Sequence, residues 1–264
     1  MSAVGLAVPA SGMEDHFVAA LAGALADPLV RAGMTLVTKV VTDDASEEQV
    51  YRHWARVGGV AGVALLGVRS GDPRVPRLRS LGFAVAGVVD ATQDVDLPCV
   101  VVDAEASISV LRAFLATRPH DRAVYLVAAE DRDTPFTRTV LEGTGMGDLF
   151  EVVHTEHGVE AAVAAASAAL AAGPATLVFH SDVHAAAALS ALRAGGRRVP
   201  EDVAIVSWTN STLCQSTSPS ITAVNRRGDE IGLLLGERVL GAIAGDLSTR
   251  VRAPEPFVVV GETA

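Results

Sequence analysis

The chain has 264 residues, half of them hydrophobic, and it carries a formal net charge of −10. This length and composition exclude a disordered chain and supply enough apolar residues for a core, in one large domain or two small lobes. The acidic balance excludes a nucleic-acid-binding surface on this chain, since such a surface needs clustered basic side chains that neutralise phosphates.

Strand and helix patterns alternate through the first part of the chain. Short apolar runs predict strands at 4–8, 34–41, 60–66, 83–89 and 99–102. Apolar residues at helical spacing predict helices at 16–32, 46–57, 76–81 and 105–117. At the second of these helices, Ser46 and Gln49 form a capping-box pattern, which predicts Ser46 as the N-cap.

The same alternation then starts again. It predicts strands at 123–128, 150–154, 175–180 and 203–206, with helices at 136–143, 159–172 and 183–194. A long amphipathic helix at 226–244 and a strand at 257–260 complete the chain. Repeated β-α units require parallel pairing through right-handed crossovers. The fold class is therefore predicted to be α/β, with two Rossmann-like lobes whose parallel sheets are flanked by helices.

The compartment follows from what the sequence lacks. No apolar run approaches the roughly 20 residues of a membrane-spanning helix. The first nine residues read as a strand and have no charged start of a signal peptide. Cys99 and Cys214 lie far apart and indicate no disulfide framework, so the sequence predicts a reducing cytoplasm.

Polar side chains recur where the predicted strands end. They are Ser11, Arg69, Asp90, Asp103, Glu130, Asp131, Ser181, Asp182, Thr209 and Asn210. The carboxyl ends of strands in open α/β sheets are where ligands bind, so these residues are predicted to converge on one cleft. Carboxylates, amides and guanidinium groups supply the paired donors and acceptors that vicinal hydroxyls need. Phe17, Phe136 and Trp208 offer apolar faces to a sugar ring.

A specific resemblance rests on VPEDVAIVSW at 199–208 and SPSIT at 218–222. These two segments resemble the effector-binding domain of the LacI/GalR family of bacterial transcription regulators. The resemblance covers essentially the whole chain and is strongest over 175–224. It implies a type I periplasmic-binding-protein-like fold whose chain crosses between lobes three times at a hinge. The implied lobes are 1–119 plus 222–249 and 120–221 plus 250–264, closing on a ligand.

The resemblance also implies site residues. Arg138, five residues before Gly143, matches the arginine of an R-x4-G pattern that contacts the effector, and Asp182 matches the aspartate of an Asn-Asp pair. Asn210 lies in a segment that is usually Gly-aromatic-Asp-Asp. His16 and Phe17 occupy the place of a Phe-Phe pair at the start of the first helix.

Two departures from the family pattern widen the range of ligands. Ser181 and Thr209 stand where the family often has the acidic or amide groups that grip sugar hydroxyls. The Asn-Pro-Phe-Phe entry to the first helix has become Glu-Asp-His-Phe at 14–17. A sugar therefore remains one candidate effector, and another small polar metabolite remains the other.

The predicted function is sensing of such an effector. The ligand enters the interlobe cleft and contacts Arg138, Asp182 and Asn210, with Trp208 and Phe17 as walls. By the resemblance, closure acts across a homodimer, with the helix at 46–57 and parts of 69–81 as candidate dimer contacts. Operator DNA is expected to be contacted only through an N-terminal helix-turn-helix module that the chain lacks, as though it begins after that module.

Two other functions were weighed. A solute-binding protein of a transport system uses the same two-lobed clamp, and it is expected to carry a signal peptide or a lipid-anchor cysteine. Enzyme signals are weak: His180 and His184 straddle a predicted strand-to-helix junction, and the glycines at 143, 145 and 147 follow a helix instead of a strand. No nucleophile elbow or phosphate loop is present. The sequence thus predicts no catalysis, no cofactor and no metal.

Overall fold

Strands and helices alternate along the chain in the computed structural model, which describes residues 2–10, 16–118, 122–129 and 150–264. In chain order the elements are β1 (Ala3–Pro9), α1 (His16–Arg31), β2 (Thr35–Val41), α2 (Asp44–Val57), β3 (Val60–Val68), α3 (Arg74–Ser80), β4 (Ala84–Asp90), β5 (Cys99–Val102), α4 (Ala104–Leu115), β6 (Ala123–Ala128), β7 (Glu151–Thr155), α5 (Val159–Ala171), β8 (Thr176–Phe179), α6 (Asp182–Ala194), β9 (Ala204–Ser207), α7 (Thr212–Ser216), β10 (Thr222–Asn225), α8 (Gly228–Ile243), β11 (Arg250–Arg252) and β12 (Phe257–Val259). Among these residues, no helix combines the length and apolar character that a bilayer crossing requires.

The strands form two six-stranded sheets. The first sheet has the order β11-β5-β4-β3-β1-β2, and every neighbouring pair is parallel. The second sheet has the order β12-β10-β9-β8-β6-β7, and only the β10–β12 pair is antiparallel. Two mostly parallel sheets flanked by helices confirm the predicted fold class.

The described residues divide into two compact units. The first unit holds β1, 18–103 and 227–254; the second holds residues 16 and 17, the described residues of 104–226, and 255–264. The chain therefore passes between the units at 103–104, 226–227 and 254–255. Residues 16 and 17 also belong to the second unit, although the described stretches on either side of them in sequence belong to the first. The boundaries that the resemblance implies differ from these: they place 104–119 and 222–226 in the first lobe and 250–254 in the second.

The packing of α4 explains why 104–115 belongs to the second unit. Ile108, Leu111 and Leu115 of α4 belong to a buried cluster with Tyr125 and Val178 of the second sheet. Alternate residues of the same strands, such as Val124 and Leu177, face the other side and pack with α5 and α6. Helices thus cover both faces of the second sheet, which explains why its central strands β6, β8 and β9 are mostly apolar and buried.

The start of α2 differs from the capping prediction. Asp43, not Ser46, is the N-cap: its side chain accepts a hydrogen bond from the backbone N–H of Ser46 at 2.7 Å. Ser46 lies at the third helical position, and its hydroxyl accepts from the backbone N–H of Asp43 at 3.1 Å. The reciprocal box is therefore present three residues earlier than predicted, because Asp43 has the extended backbone that an N-cap needs.

The Arg198–Asp202 pair stabilises the turn before β9 in a pH-dependent way. Arg198 donates to Asp202 from Nη2 at 2.6 Å, from Nε at 3.1 Å and from its backbone N–H at 2.8 Å. The side-chain hydrogen bond from Arg198, followed by the backbone one, lowers the pKa of Asp202 to about 2 from 3.8. Because the folded-state pKa lies below the unfolded one, the pair stabilises the fold above about pH 4 and loses that contribution towards pH 2.

We therefore expect Asp202→Asn to lower the melting temperature at pH 6 and to have a much smaller effect near pH 2. Thermal unfolding followed by circular dichroism across this range measures the difference, and Arg198→Gln should reproduce it. A difference between wild type and variant that is the same at both pH values would contradict this assignment.

Candidate functional site

The candidate site lies at the carboxyl edge of the second sheet. Since β6 pairs with both β7 and β8, the direction in which strands are added reverses between β6 and β8. Open α/β sheets bind ligands outside such a switch point. The residues that follow β8, β9 and β10 all meet at this edge, because the three strands are parallel. Asp182, Asn210 and Trp208 from the sequence prediction lie here.

Asp182 is bound by its own chain. It is the first residue of α6, and its side chain is 1% exposed. Its Oδ2 atom contacts His16 Nδ1 at 2.6 Å and also accepts a hydrogen bond from the Ser211 hydroxyl. A carboxylate in the first turn of a helix is stabilised by the helix dipole. The structure thus joins His16 and Asp182, two residues that the sequence predicted separately.

Arg226, directly after β10, is a residue that the sequence prediction missed. Its guanidinium carbon lies 4.1 Å from the ring centre of Phe17 and 5.7 Å from that of Trp208. Its Nη2 atom donates to the hydroxyl of Thr209 at 2.9 Å. A guanidinium over an aromatic face makes a favourable cation–π contact. The guanidinium of Arg226 therefore contacts both Phe17 and Thr209 and holds them near each other.

Trp208 lies at this edge, but its ring is directed into the core. The side chain is fully buried, and its ring meets that of Tyr125 edge-on, with centres 6.0 Å apart. In the part of the chain that the structure describes, the indole Nε1 has no hydrogen-bond partner. Because the ring has no exposed surface here, the role of Trp208 as a wall of the site stays a prediction.

The remaining polar groups at the edge are tied into local hydrogen bonds. His180, after β8, contacts the Tyr125 hydroxyl through Nδ1 at 2.7 Å. Asn210 donates from its backbone to Val224 O at 3.0 Å, and its Oδ1 accepts from Gln215 at 2.9 Å. These bonds hold the loop after β9 close to β10.

The other predicted site residues lie elsewhere. Asp90 ends β4 in the first unit, and its Oδ1 accepts from the backbone N–H and the hydroxyl of Thr92 at 3.0 and 2.6 Å, which closes a turn. Arg138 and Phe136 lie outside the described residues, as do Ser11, Glu130 and Asp131. Their predicted roles are untested by the geometry.

The chemistry at this edge is that of hydrogen bonding. Among the described residues, no group of three histidine, cysteine or acidic side chains has the arrangement of a metal site. Cys214 in α7 is buried, and burial, followed by the nearby charge of Asp182, raises the pKa of its thiol. A thiol with a raised pKa is a poor nucleophile. Imidazole, guanidinium and hydroxyl groups remain, and these suit a polar ligand.

Comparisons with known proteins agree with the fold. The family described as periplasmic binding protein-like domain matches residues 111–264. The HTH-type transcriptional regulator MalR of Streptomyces coelicolor is 30% identical over 280 residues, covering 99% of this chain and 80% of MalR. A LacI family transcriptional regulator from Bifidobacterium animalis subsp. lactis superposes with a TM-score of 0.79 at 25% identity, covering 99% of this chain and 97% of that one. A complex of the transcriptional regulator CelR with cellobiose has a TM-score of 0.75 at 24% identity, covering 100% and 85%.

Proposed function

Because this chain belongs to the LacI/GalR family of transcription regulators, as an effector-sensing domain with the periplasmic-binding-protein-like fold, we propose that it binds a sugar or a related polyhydroxylated metabolite at the carboxyl edge of its second sheet. The observation that carries the proposal is the cluster of His16, Asp182, Ser211, Arg226 and Phe17 at that edge. Imidazole, hydroxyl and guanidinium groups beside a phenyl ring match the alternating polar and apolar surface of a sugar.

The similar regulator bound to cellobiose supports a carbohydrate ligand of this kind. We propose that Arg138 and Asn210 supply further hydrogen bonds, and that Phe17, which is 6% exposed, holds the guanidinium of Arg226 in place through its ring face. Bonds from charged groups such as Arg138 have a stabilising effect of about 1.5–3 kcal/mol each.

The signal is a shift in a conformational equilibrium. A ligand that binds one conformation of the domain more tightly than another raises the population of the first. In a homodimer this shift changes how a helix-turn-helix module contacts operator DNA, and relatives named as HTH-type regulators carry such a module. The net charge of −10 supports leaving DNA contact to that module. A regulator with these partners acts in the cytoplasm.

The relatives give no support to the transport and enzyme alternatives. MalR and the similar structures are named as transcriptional regulators, not as solute-binding proteins or enzymes. The fold is shared with transport proteins, and the sequence relationship favours the regulator.

A ligand screen with site variants tests the proposal. We expect a panel of cellobiose, other sugars, nucleosides and small acids to contain a sugar-like compound that raises the melting temperature of the wild type. We expect Arg138→Ala and Arg226→Ala each to weaken binding of that compound by about 10- to 100-fold, because each removes charged hydrogen bonds of about 1.5–3 kcal/mol. Isothermal titration calorimetry measures the ligand affinity of each variant directly, so a change in the stability of the variant does not enter the comparison.

Arg193→Ala is the matched control. Arg193 lies in the last turn of α6, at the opposite end of that helix from Asp182, and its Nη1 donates to Ser218 O at 2.5 Å. Its removal should leave ligand affinity unchanged. Stabilisation of the wild type only by non-carbohydrate compounds would contradict the sugar proposal, and full affinity in Arg226→Ala would contradict the placement of the site.

A further inference from the structure

The carboxylate of Asp182 is almost completely covered by its own chain. Its side chain is 1% exposed, and a single oxygen, Oδ2, serves both His16 Nδ1 and the Ser211 hydroxyl. A ligand hydroxyl that approached this oxygen directly would have to displace one of those two partners. Displacement would leave a buried polar group unpaired, at a cost of about 1–3 kcal/mol. Direct contact with Oδ2 is therefore unfavourable, and a side chain that is 1% exposed leaves Oδ1 almost no surface for a ligand.

His16 has the opposite character. Its side chain is 43% exposed, and in the described part of the chain its only hydrogen bond is the one from Nδ1 to Asp182. A neutral imidazole that donates its Nδ1 proton to a carboxylate carries an open lone pair on Nε2. The aspartate thus selects which ring nitrogen holds the proton and leaves the other nitrogen as an acceptor.

We propose that His16 makes the direct contact with the effector, accepting a ligand hydroxyl at Nε2, and that Asp182 and Ser211 are positioning residues behind it. This inference rests on the proposed function and specifies the chemistry of the same site: a neutral hydroxyl-bearing ligand that donates a hydrogen bond. It also gives a role to a departure from the family pattern. The phenylalanine that the resemblance places at position 16 has no acceptor, so the imidazole changes which ligands the site selects.

The first test needs no ligand. We expect ¹⁵N NMR of histidine-labelled protein, at mildly alkaline pH where histidine is neutral, to show His16 protonated at Nδ1. Its signal is assigned by its loss in His16→Phe. Asp182→Asn keeps the size of the side chain and an acceptor for Ser211, but its amide can donate to Nδ1, so we expect the proton to move to Nε2. A wild-type His16 protonated at Nε2, or a tautomer that Asp182→Asn leaves unchanged, would overturn the positioning role.

The second test is a double-mutant cycle with cellobiose, the ligand of the similar CelR complex, measured by calorimetry. We expect His16→Phe to weaken cellobiose binding by about tenfold, as loss of one hydrogen bond predicts. Asp182→Asn should weaken it too, but should have no further effect in the His16→Phe background, because Asp182 acts through His16. A further loss in that background would show that Asp182 contacts the ligand itself, which contradicts the inference.

His154→Phe is the matched control, since His154 is exposed on β7 and takes part in none of the contacts described at the site. It should change neither the tautomer of His16 nor the affinity. Failure of the wild type to bind cellobiose and every other sugar would count against the proposed function, while the ligand-free tautomer would still decide whether Asp182 positions His16. Sugar binding therefore tests the proposed function, and the tautomer of His16 without ligand tests the positioning role of Asp182.

Discussion

We expect Trp208→Ala to lower the free energy of unfolding by about 3–5 kcal/mol, the usual cost of deleting a large buried aromatic side chain. Trp208 is fully buried and belongs to the cluster that joins α4 to the second sheet. Its ring contacts Tyr125 edge-on, and Ile108 and Leu111 of α4 lie in the same cluster. Alanine would leave a cavity that the surrounding helix and strands cannot fill without moving.

Urea unfolding followed by far-UV circular dichroism measures this loss. Trp54, in the first unit, is the other tryptophan of the chain, so the fluorescence of Trp208→Ala reports the first unit alone. Trp208→Phe is the matched comparison: it refills much of the space and removes an indole N–H that has no acceptor among the described residues. We expect its loss to be well below that of alanine. A loss under about 1 kcal/mol for Trp208→Ala would show that the ring is not a core residue.

Most of the fold could be predicted because the spacing of apolar residues in the sequence indicates where the helices and the buried strands lie. The β–α alternation, the parallel pairing and the helix positions follow from local patterns that a buried sheet imposes on sequence. The predicted ends of helices and the predicted limits of the two units agree less well with the structure. At α2, Asp43 and Ser46 both have side chains suited to capping, and only the extended backbone of Asp43 decides between them. The assignment of α4 to the second unit depends on which buried face it covers, which its own amphipathic pattern does not specify.

The candidate site was only partly predictable, because sequence locates strand ends but not side-chain directions. Asp182 and His16 were both recognised, yet their contact joins residues 166 positions apart in the chain. Trp208 follows a buried strand at the start of a polar segment, so its position alone is compatible with a wall or with a core residue. Arg226 was read as the beginning of the long helix that in fact begins at Gly228, so its place beside Phe17 had no local signal.

The second large effect concerns the close approach of α8 to α1 in the first unit. A Cβ atom at Gly232 would lie 2.2 Å from the backbone oxygen of Leu21 and 3.0 Å from Cβ of Ala24. Real Cβ atoms essentially never make contacts under 3.0 Å, and a backbone oxygen within a helix cannot rotate away. Gly232→Ala must therefore push the two helices apart along their interface. Overpacking of this kind has a cost of about 1–3 kcal/mol, occasionally more.

Gly23→Ala separates this steric effect from helix propensity. Gly23 lies within α1, and a Cβ atom there meets nothing within 4 Å. Alanine favours a helix over glycine by about 0.8–1.0 kcal/mol, so Gly23→Ala should raise the free energy of unfolding in the same urea experiment. Gly232→Ala receives the same gain from propensity. We nevertheless expect it to be destabilised, because the Cβ atom forces the helices apart where Gly232 meets Leu21 and Ala24. Stabilisation of both variants would mean that α8 does not approach α1 as closely as 2.2 Å implies.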